Sequence, residues 1–222
     1  MKYLITNKQF NLLMESNEDK ILMLPDPERI GGWRILQQLL EKAGNPRYGI
    51  RGDLNLRGSS VKSLGNLERV EGDLDLYDTS IKSLGNLEYV EGDLVLFRSS
   101  IESLGNLKYV GGDLDLYETS IESLGNLERV EGNLVLFRSS IKSLGNLNYV
   151  GGNLDLRFSP IKSIENLEYV GDNLYLYYTP IESLGNLEYV GGFLNLRRTP
   201  LSETTTKEEI RLKINVVGDI YF

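Results

Sequence analysis

From Arg51 onward the apolar residues fall in one rhythm, L-x-L-x4-I-x2-L-x2-L-x2-V, that returns every twenty residues. In the unit EGDLDLYDTSIKSLGNLEYV, Glu71 to Val90, these positions are Leu74, Leu76, Ile81, Leu84, Leu87 and Val90. The two-residue spacing of Leu74 and Leu76 predicts a short strand with both leucines on one face. The spacing of three that follows suits a chain turning corners with one residue inward at each, and it does not sustain the pattern of a long helix. Seven units run without insertion to Val190 and an eighth starts at Gly191. A period of this length predicts stacked coils, each unable to bury its apolar face alone. The expected fold is a mainly β solenoid over 50–200, each coil a short strand and an extended or 3₁₀-like return.

Other repeated positions predict structural duties. Gly52 and its counterparts through Gly192 precede the strand, with Asp172 the one exception, and predict a bend at positive φ. The glycine of LGN becomes Glu165 in one unit, so that position is expected to be less strict. Asn66 and its counterparts through Asn186 are expected to bond to backbone at a corner, and Ser63 to Ser183 to be equally structural. Opposite charges in neighbouring units, Asp78, Arg98, Glu118 and Arg138 after the strand, and Lys82 with Glu102 and Glu122 with Lys142 on the return, fit in-register parallel strands.

The motif L-x-x-L-x-x-V-x-G-x-L-x-L-x-x-T-x-I, carried by Leu64, Leu67, Val70, Leu74, Leu76, Thr79 and Ile81, resembles the leucine-rich repeat family. The V-x-G-x-L-x-L variant is similar to the L domains of receptor ectodomains. The family's asparagine after the strand is serine or threonine here, from Ser59 and Thr79 to Thr199. The resemblance implies a right-handed coil stack with a parallel sheet and implies little about partners, because this fold hosts many. The opening KYLITNKQ and the near-identical segments 71–110 and 111–150 resemble small proteins of tailed phages. That second resemblance implies a virion protein or a host factor as partner, in the host cytoplasm.

Both ends lack the repeat and are expected to cap it. In 1–49, TNKQFNLLMES predicts a short helix with Phe10, Leu13 and Met14 as its stripe. Pro25 and Pro27 break the chain, and a second helix runs from near Pro27 to before Gly44, laying Trp33, Leu36, Leu39 and Leu40 on the first coil. In 201–222, SETTTKEEIRLKI predicts a capping helix with Thr204, Thr205 or Thr206 before Glu208 and Glu209. VGDIYF is then a closing strand, or an open edge that pairs with another chain.

The 222 residues carry 24 basic and 32 acidic side chains, a net charge of −8, which disfavours duplex DNA and anionic membranes as partners. With no cysteine and no histidine there is no disulfide, thiolate metal site, cysteine nucleophile or histidine base. The receptor-domain disulfides are therefore impossible. MKYLIT is too short for a signal-peptide core and no apolar run approaches a membrane span, so the chain is expected to be cytoplasmic. Asp53, Asp73, Asp93 and Asp113 suggest calcium, but their column changes to Asn133, Asn153 and Asn173, which favours turn bonding. Repeated carboxylates supply no unique acid and base, so no enzyme and no cofactor are expected.

The strand's second face carries the candidate chemistry. Leu94 and Leu96 point one way, so Val95 and Phe97 point the other, and Val135 and Phe137 repeat them. They belong to two columns, one through Asp75, Val95, Asp115 and Val135, the next through Tyr77, Phe97, Tyr117, Phe137 and Tyr177, with Arg98 and Arg138 beside them. Tyr89, Tyr109, Tyr149, Tyr169 and Tyr189 form another column on the return. Aromatics ringed by aspartate and arginine have the composition of interface anchors, so the expected function is binding of a protein partner. The alternatives are a glycan or a nucleotide held by tyrosines with aspartates or with Arg57, Arg157 or Arg197, and a homo-oligomer formed through this face or the C-terminal edge.

Overall fold

The computed structural model describes residues 21–222, so the expected helix bearing Phe10, Leu13 and Met14 lies outside the described residues. Each twenty-residue unit is one coil of a parallel β-solenoid. The L-x-L strand stacks on its counterparts in a nine-stranded sheet that runs from Leu54–Asn55 to Ile220–Tyr221. The return, expected to be extended or 3₁₀-like, holds a second short strand. Tyr89–Val90 and its counterparts build a second parallel sheet of ten strands. Between the two, Ser83 with Ser103, Ser123 with Ser143 and Ser163 with Ser183 form single parallel bridges. The register is uniform: Leu74 pairs with Leu94, Leu94 with Leu114, and Val90 with Val110. Hydrogen bonds run from coil to coil, from Leu94 N–H to the Asp113 carbonyl at 2.8 Å and from Glu91 N–H to the Val70 carbonyl at 3.0 Å.

The six apolar positions all point inward. Leu74, Leu76, Ile81, Leu84, Leu87 and Val90 are buried, as are their counterparts in the following coils. Burial of one such side chain contributes about 1.5–3 kcal/mol, and the column above and below it supplies the packing.

The glycines exchange the roles expected of them. Apart from Gly52, the glycines before the strand do not have positive φ. Gly92 instead sits at a close approach of neighbouring coils, where an added Cβ would strike the Asp73 carboxylate and the backbone of Gly72. Asp172 shows that the crowding yields at one coil. Positive φ belongs to the glycine of LGN, from Gly65 at 61° to Gly185 at 56°, where Ser63 and its counterparts accept the glycine N–H. It also belongs to the residue two places after the second strand leucine. Gly58 takes that position in the first coil, and Asp78, Arg98, Glu118, Arg138, Phe158, Tyr178 and Arg198 take it later at φ 53–59°.

The N-terminal cap joins the solenoid. Leu22–Pro25 and Tyr48–Arg51 pair in parallel and begin the ten-stranded sheet. The helix starts later than expected. Pro27–Arg29 is a 3₁₀ turn, Gly31 and Gly32 hold φ of 110° and 99°, and helix α1 spans Trp33–Lys42. A glycine pair with positive φ cannot belong to a right-handed helix. Leu36 and Leu40 are buried, whereas Trp33 and Leu39 are only half-buried against the core. Tyr48 locks α1 to the first coil: its hydroxyl accepts from Gln37 at 2.9 Å and donates to the Leu64 carbonyl at 2.7 Å. At the C-terminus the single expected helix is two, α2 at Pro200–Thr204 and α3 at Lys207–Lys213. Thr206 caps α3 and closes a capping box with Glu209. Asn215–Val216 and Ile220–Tyr221 then complete both sheets, the latter being the expected closing strand.

Two outcomes follow from this packing. Leu96→Ala is expected to lower unfolding free energy in a urea melt by about 2–5 kcal/mol, the usual range for a core leucine. Burial pushes the Tyr48 phenol above its ordinary value, with the Gln37 hydrogen bond opposing it. The unfolded chain therefore loses this proton first. The Tyr48 contribution to stability should be constant below about pH 10 and fall above it, and Tyr48→Phe should flatten the alkaline fall seen by circular dichroism.

Candidate functional site

The candidate residues fall together at the end of the L-x-L strands. Asp75, Val95, Asp115 and Val135 close the two-residue strands, and Tyr77, Phe97, Tyr117 and Phe137 stand in the turn just beyond them. Asp75 and Asp115 shape that turn: each carboxylate accepts the N–H two residues on, from Tyr77 and Tyr117, at 2.9 Å. Burial raises the Asp115 pKa, the Tyr117 N–H lowers it, and the nearby Asp113 charge raises it again.

The aromatic side chains form a continuous ladder. Ring centroids lie 5.3 Å apart for Tyr77 and Phe97, 4.9 Å for Phe97 and Tyr117, and 5.4 Å for Tyr117 and Phe137. Arg157 then takes the column position, and the ladder steps sideways onto Phe158, 5.6 Å from Phe137. Phe158 in turn meets Tyr177 at 5.8 Å and Tyr178 at 5.1 Å, which brings the last candidate into the same surface. Because each ring covers the next, Tyr77, Val95, Phe97, Tyr117, Val135, Phe137 and Tyr177 are half-buried, not bare.

Phe158 and Tyr178 were absent from the candidate residues, yet they are the most exposed aromatics of the ladder, at 44% and 42%. Their sequence signal is the doubled pair that ends in proline, RFSP and YYTP, one place beyond the aromatic column. They share the positive-φ position with Arg98 and Arg138, which are exposed and lie over the Phe97 and Phe137 rings at 5.1 and 5.2 Å.

The charge columns behave unevenly. On the return, Lys82 reaches Glu102 at 2.8 Å and Lys142 reaches Glu122 at 2.6 Å, as the alternation predicts. After the strand, Arg138 meets Glu118 at 3.7 Å, but Arg98 turns toward the Tyr77 hydroxyl at 3.5 Å, away from Asp78. The tyrosines of the return stand in the ten-stranded sheet, where Tyr149, Tyr169 and Tyr189 stack at 4.7 and 4.8 Å with rings nearly parallel. Arg129 and Arg69 interrupt that column, and Arg129 lies 3.4 Å from the centre of the Tyr149 ring.

The aspartates after the bend glycine do not bond within their own turn. Each reaches across to the next coil: Asp53 accepts the Asp73 N–H at 2.9 Å, Asp73 that of Asp93 at 2.8 Å, and Asp93 that of Asp113 at 2.7 Å. Asn133, Asn153 and Asn173 continue the ladder, each accepting the next coil's N–H, and each amide NH₂ also donates to the residue behind it. Neighbouring carboxylates ~4.8 Å apart repel by about 1 kcal/mol in water, whereas a hydrogen bond to a charged acceptor returns about 1.5–3 kcal/mol. These bonds offset the repulsion along the ladder. The corner asparagines also bond between coils, Asn126 to the Gly105 carbonyl and Asn166 to that of Gly145.

Comparison with protein-family models, curated proteins and solved structures finds no match, so the site stands on its own geometry. Among the described residues no helix is long and apolar enough to cross a membrane.

Phe97→Ala should cost about 0.4–2 kcal/mol, two ladder contacts' worth, because it opens a surface notch and no internal cavity. A denaturant melt beside Leu96→Ala checks this, and an equal or larger loss for Phe97→Ala would mean that the two faces are reversed.

Proposed function

We propose that the protein is a non-enzymatic interaction module, and that the ladder from Tyr77 to Tyr178 with its flanking arginines receives a protein partner. One observation carries the reading. Seven successive coils place a residue other than glycine at positive φ, where an L side chain costs about 1–2 kcal/mol and where Gly58 fills the same position freely. Strain of this kind is retained where the side chain has a use. Among the described residues Arg98 and Arg198 have no side-chain carboxylate within ion-pair distance, and Phe158 and Tyr178 are not charged, so internal pairing is not that use. The aromatic and arginine composition is that of interface hot spots, and the rings are held in place before contact, which lowers the entropy cost of binding.

The leucine-rich-repeat resemblance supports a binding role, since the fold offers an extended surface and no catalytic centre of its own. The resemblance of KYLITNKQ to tailed-phage proteins points to a virion protein or a host factor as the partner. A second reading, self-association, is favoured by the open outer edges of Asn215–Val216 and Ile220–Tyr221, beside which Leu212 and Val217 are 84% and 63% exposed.

The test compares wild type with the double variant Phe97→Ser/Phe137→Ser by native mass and by pull-down. The reading expects a partner retained by wild type and lost by the variant, with both chains folded. Unchanged association would contradict it, and a homo-oligomer that survives this variant but dissolves on Val217→Lys would favour the second reading. Arg98→Gly should weaken association at equal or higher stability. It removes strain of about 1–2 kcal/mol and adds about 0.4–1 kcal/mol of backbone entropy cost.

A further inference from the structure

The arginines of the nine-stranded sheet differ in what neutralises them. Arg57 has Asp75 at 3.6 Å, Arg138 has Glu118 at 3.7 Å, and Arg157 has Asp155 at 2.5 Å. Arg197 and Arg198 have no carboxylate within 4.0 Å among the described residues. The reason lies in the columns. Asn195 stands where Asp155 serves Arg157, and Tyr221 stands where Asp75 serves Arg57. Tyr178 stands where Glu118 serves Arg138. The two guanidiniums therefore lie over rings, Arg197 at 4.9 Å from Tyr221 and Arg198 at 5.2 Å from Tyr178.

Arg197 and Arg198 line one open concavity of about 690 Å³ together with Arg157, Tyr175, Tyr177, Asn195 and Phe222. No aspartate or glutamate lines it, in a chain whose net charge is −8. Lys207, 5.9 Å from the Phe222 ring, adds a further cation at its margin.

We propose that this concavity is a binding subsite for the phosphomonoester of a ligand that also carries an aromatic ring. Two guanidiniums that line one concavity, with no side-chain carboxylate partner among the described residues, suit the several oxygens of a dianionic phosphate. Tyr175, Tyr177 and Phe222 offer the apolar and aromatic wall that a planar ring requires, and the volume suits a ligand of that size. A nucleotide and a phosphotyrosine share this chemistry. The subsite shares Tyr177 and Arg198 with the protein-binding face but does not include Phe97 or Phe137, so variants of those two rings test the two readings apart.

Calorimetric titration of the full chain with inorganic phosphate, adenosine monophosphate and O-phosphotyrosine tests the proposal, at low ionic strength and at about 0.15 M salt. One of the two ring-bearing ligands should bind at least about tenfold more tightly than inorganic phosphate, and the preferred one identifies the source. Asn195→Asp restores the carboxylate that Arg157 has and should weaken binding by about tenfold or more, with the melting temperature unchanged. Arg197→Gln/Arg198→Gln should do the same, and Phe97→Ser/Phe137→Ser should leave binding intact. The proposal is overturned if none of the three ligands binds, if inorganic phosphate binds as well as the others, or if Asn195→Asp binds like wild type.

Discussion

Everything in this molecule depends on backbone hydrogen bonding between coils at a constant offset of twenty residues. Leu94 bonds to the strand of Leu114, which bonds to that of Leu134, and no insertion breaks the count between Arg51 and Val190. Once that register is set, every side chain stands over its counterpart ~4.8 Å away. An inward leucine is then packed by two leucines, and an outward ring by two rings. The sequence of one coil becomes the environment of the next, so the columns carry more physical meaning than the residues taken singly.

The same constraint makes polar columns a problem that the chain solves in three ways. Carboxylates stacked as Asp53 to Asp113 are held apart from mutual repulsion by accepting the next coil's N–H. Charges on the return alternate in sign, so Lys82 and Glu102 pair. At the turn after the strand the chain accepts a left-handed backbone and presents Arg98, Arg138, Phe158 or Tyr178 outward. The first two devices stabilise the stack. The third costs stability, and it lies beside the aromatic ladder, which is why the binding reading centres there. At the C-terminal end of that face Asn195, Tyr178 and Tyr221 replace the carboxylates, and Arg197 and Arg198 have no aspartate or glutamate partner among the described residues.

The core and the coil period were legible in sequence because burial imposes them on residue type: only Leu, Ile or Val occupies the six inward positions. The outward columns were legible for the same reason, since strand alternation places Val95 and Phe97 opposite Leu96. Backbone geometry was less so. Glycine before the strand and glycine in LGN look alike in sequence, yet one is required by a close approach of coils and the other by φ. The left-handed turn was hidden because Arg98 and Tyr178 are not residues that announce it. The strand at Tyr89–Val90 was hidden because only its pairing partner twenty residues away makes it a strand, and Leu22–Pro25 because Pro25 ends it and Pro27 follows two places on. The half-burial of Phe97 and the joining of Tyr177 through Phe158 depend on ring-to-ring contact across coils, which no single unit displays.

The central claim is that each twenty-residue unit is an interchangeable coil held in register by its neighbours. Two deletions test it most directly, one removing Gly111–Val130 and one removing Gly111–Ser120, each followed by circular dichroism and a denaturant melt. The account predicts that the first remains a cooperatively folding β protein, one coil shorter, because Val110 then leads into Glu131 with every column intact. The second should lose cooperative unfolding, because it sets return residues over strand residues and turns leucines outward. A protein that tolerates both deletions equally, or that unfolds on loss of the complete coil while tolerating the half coil, would contradict it.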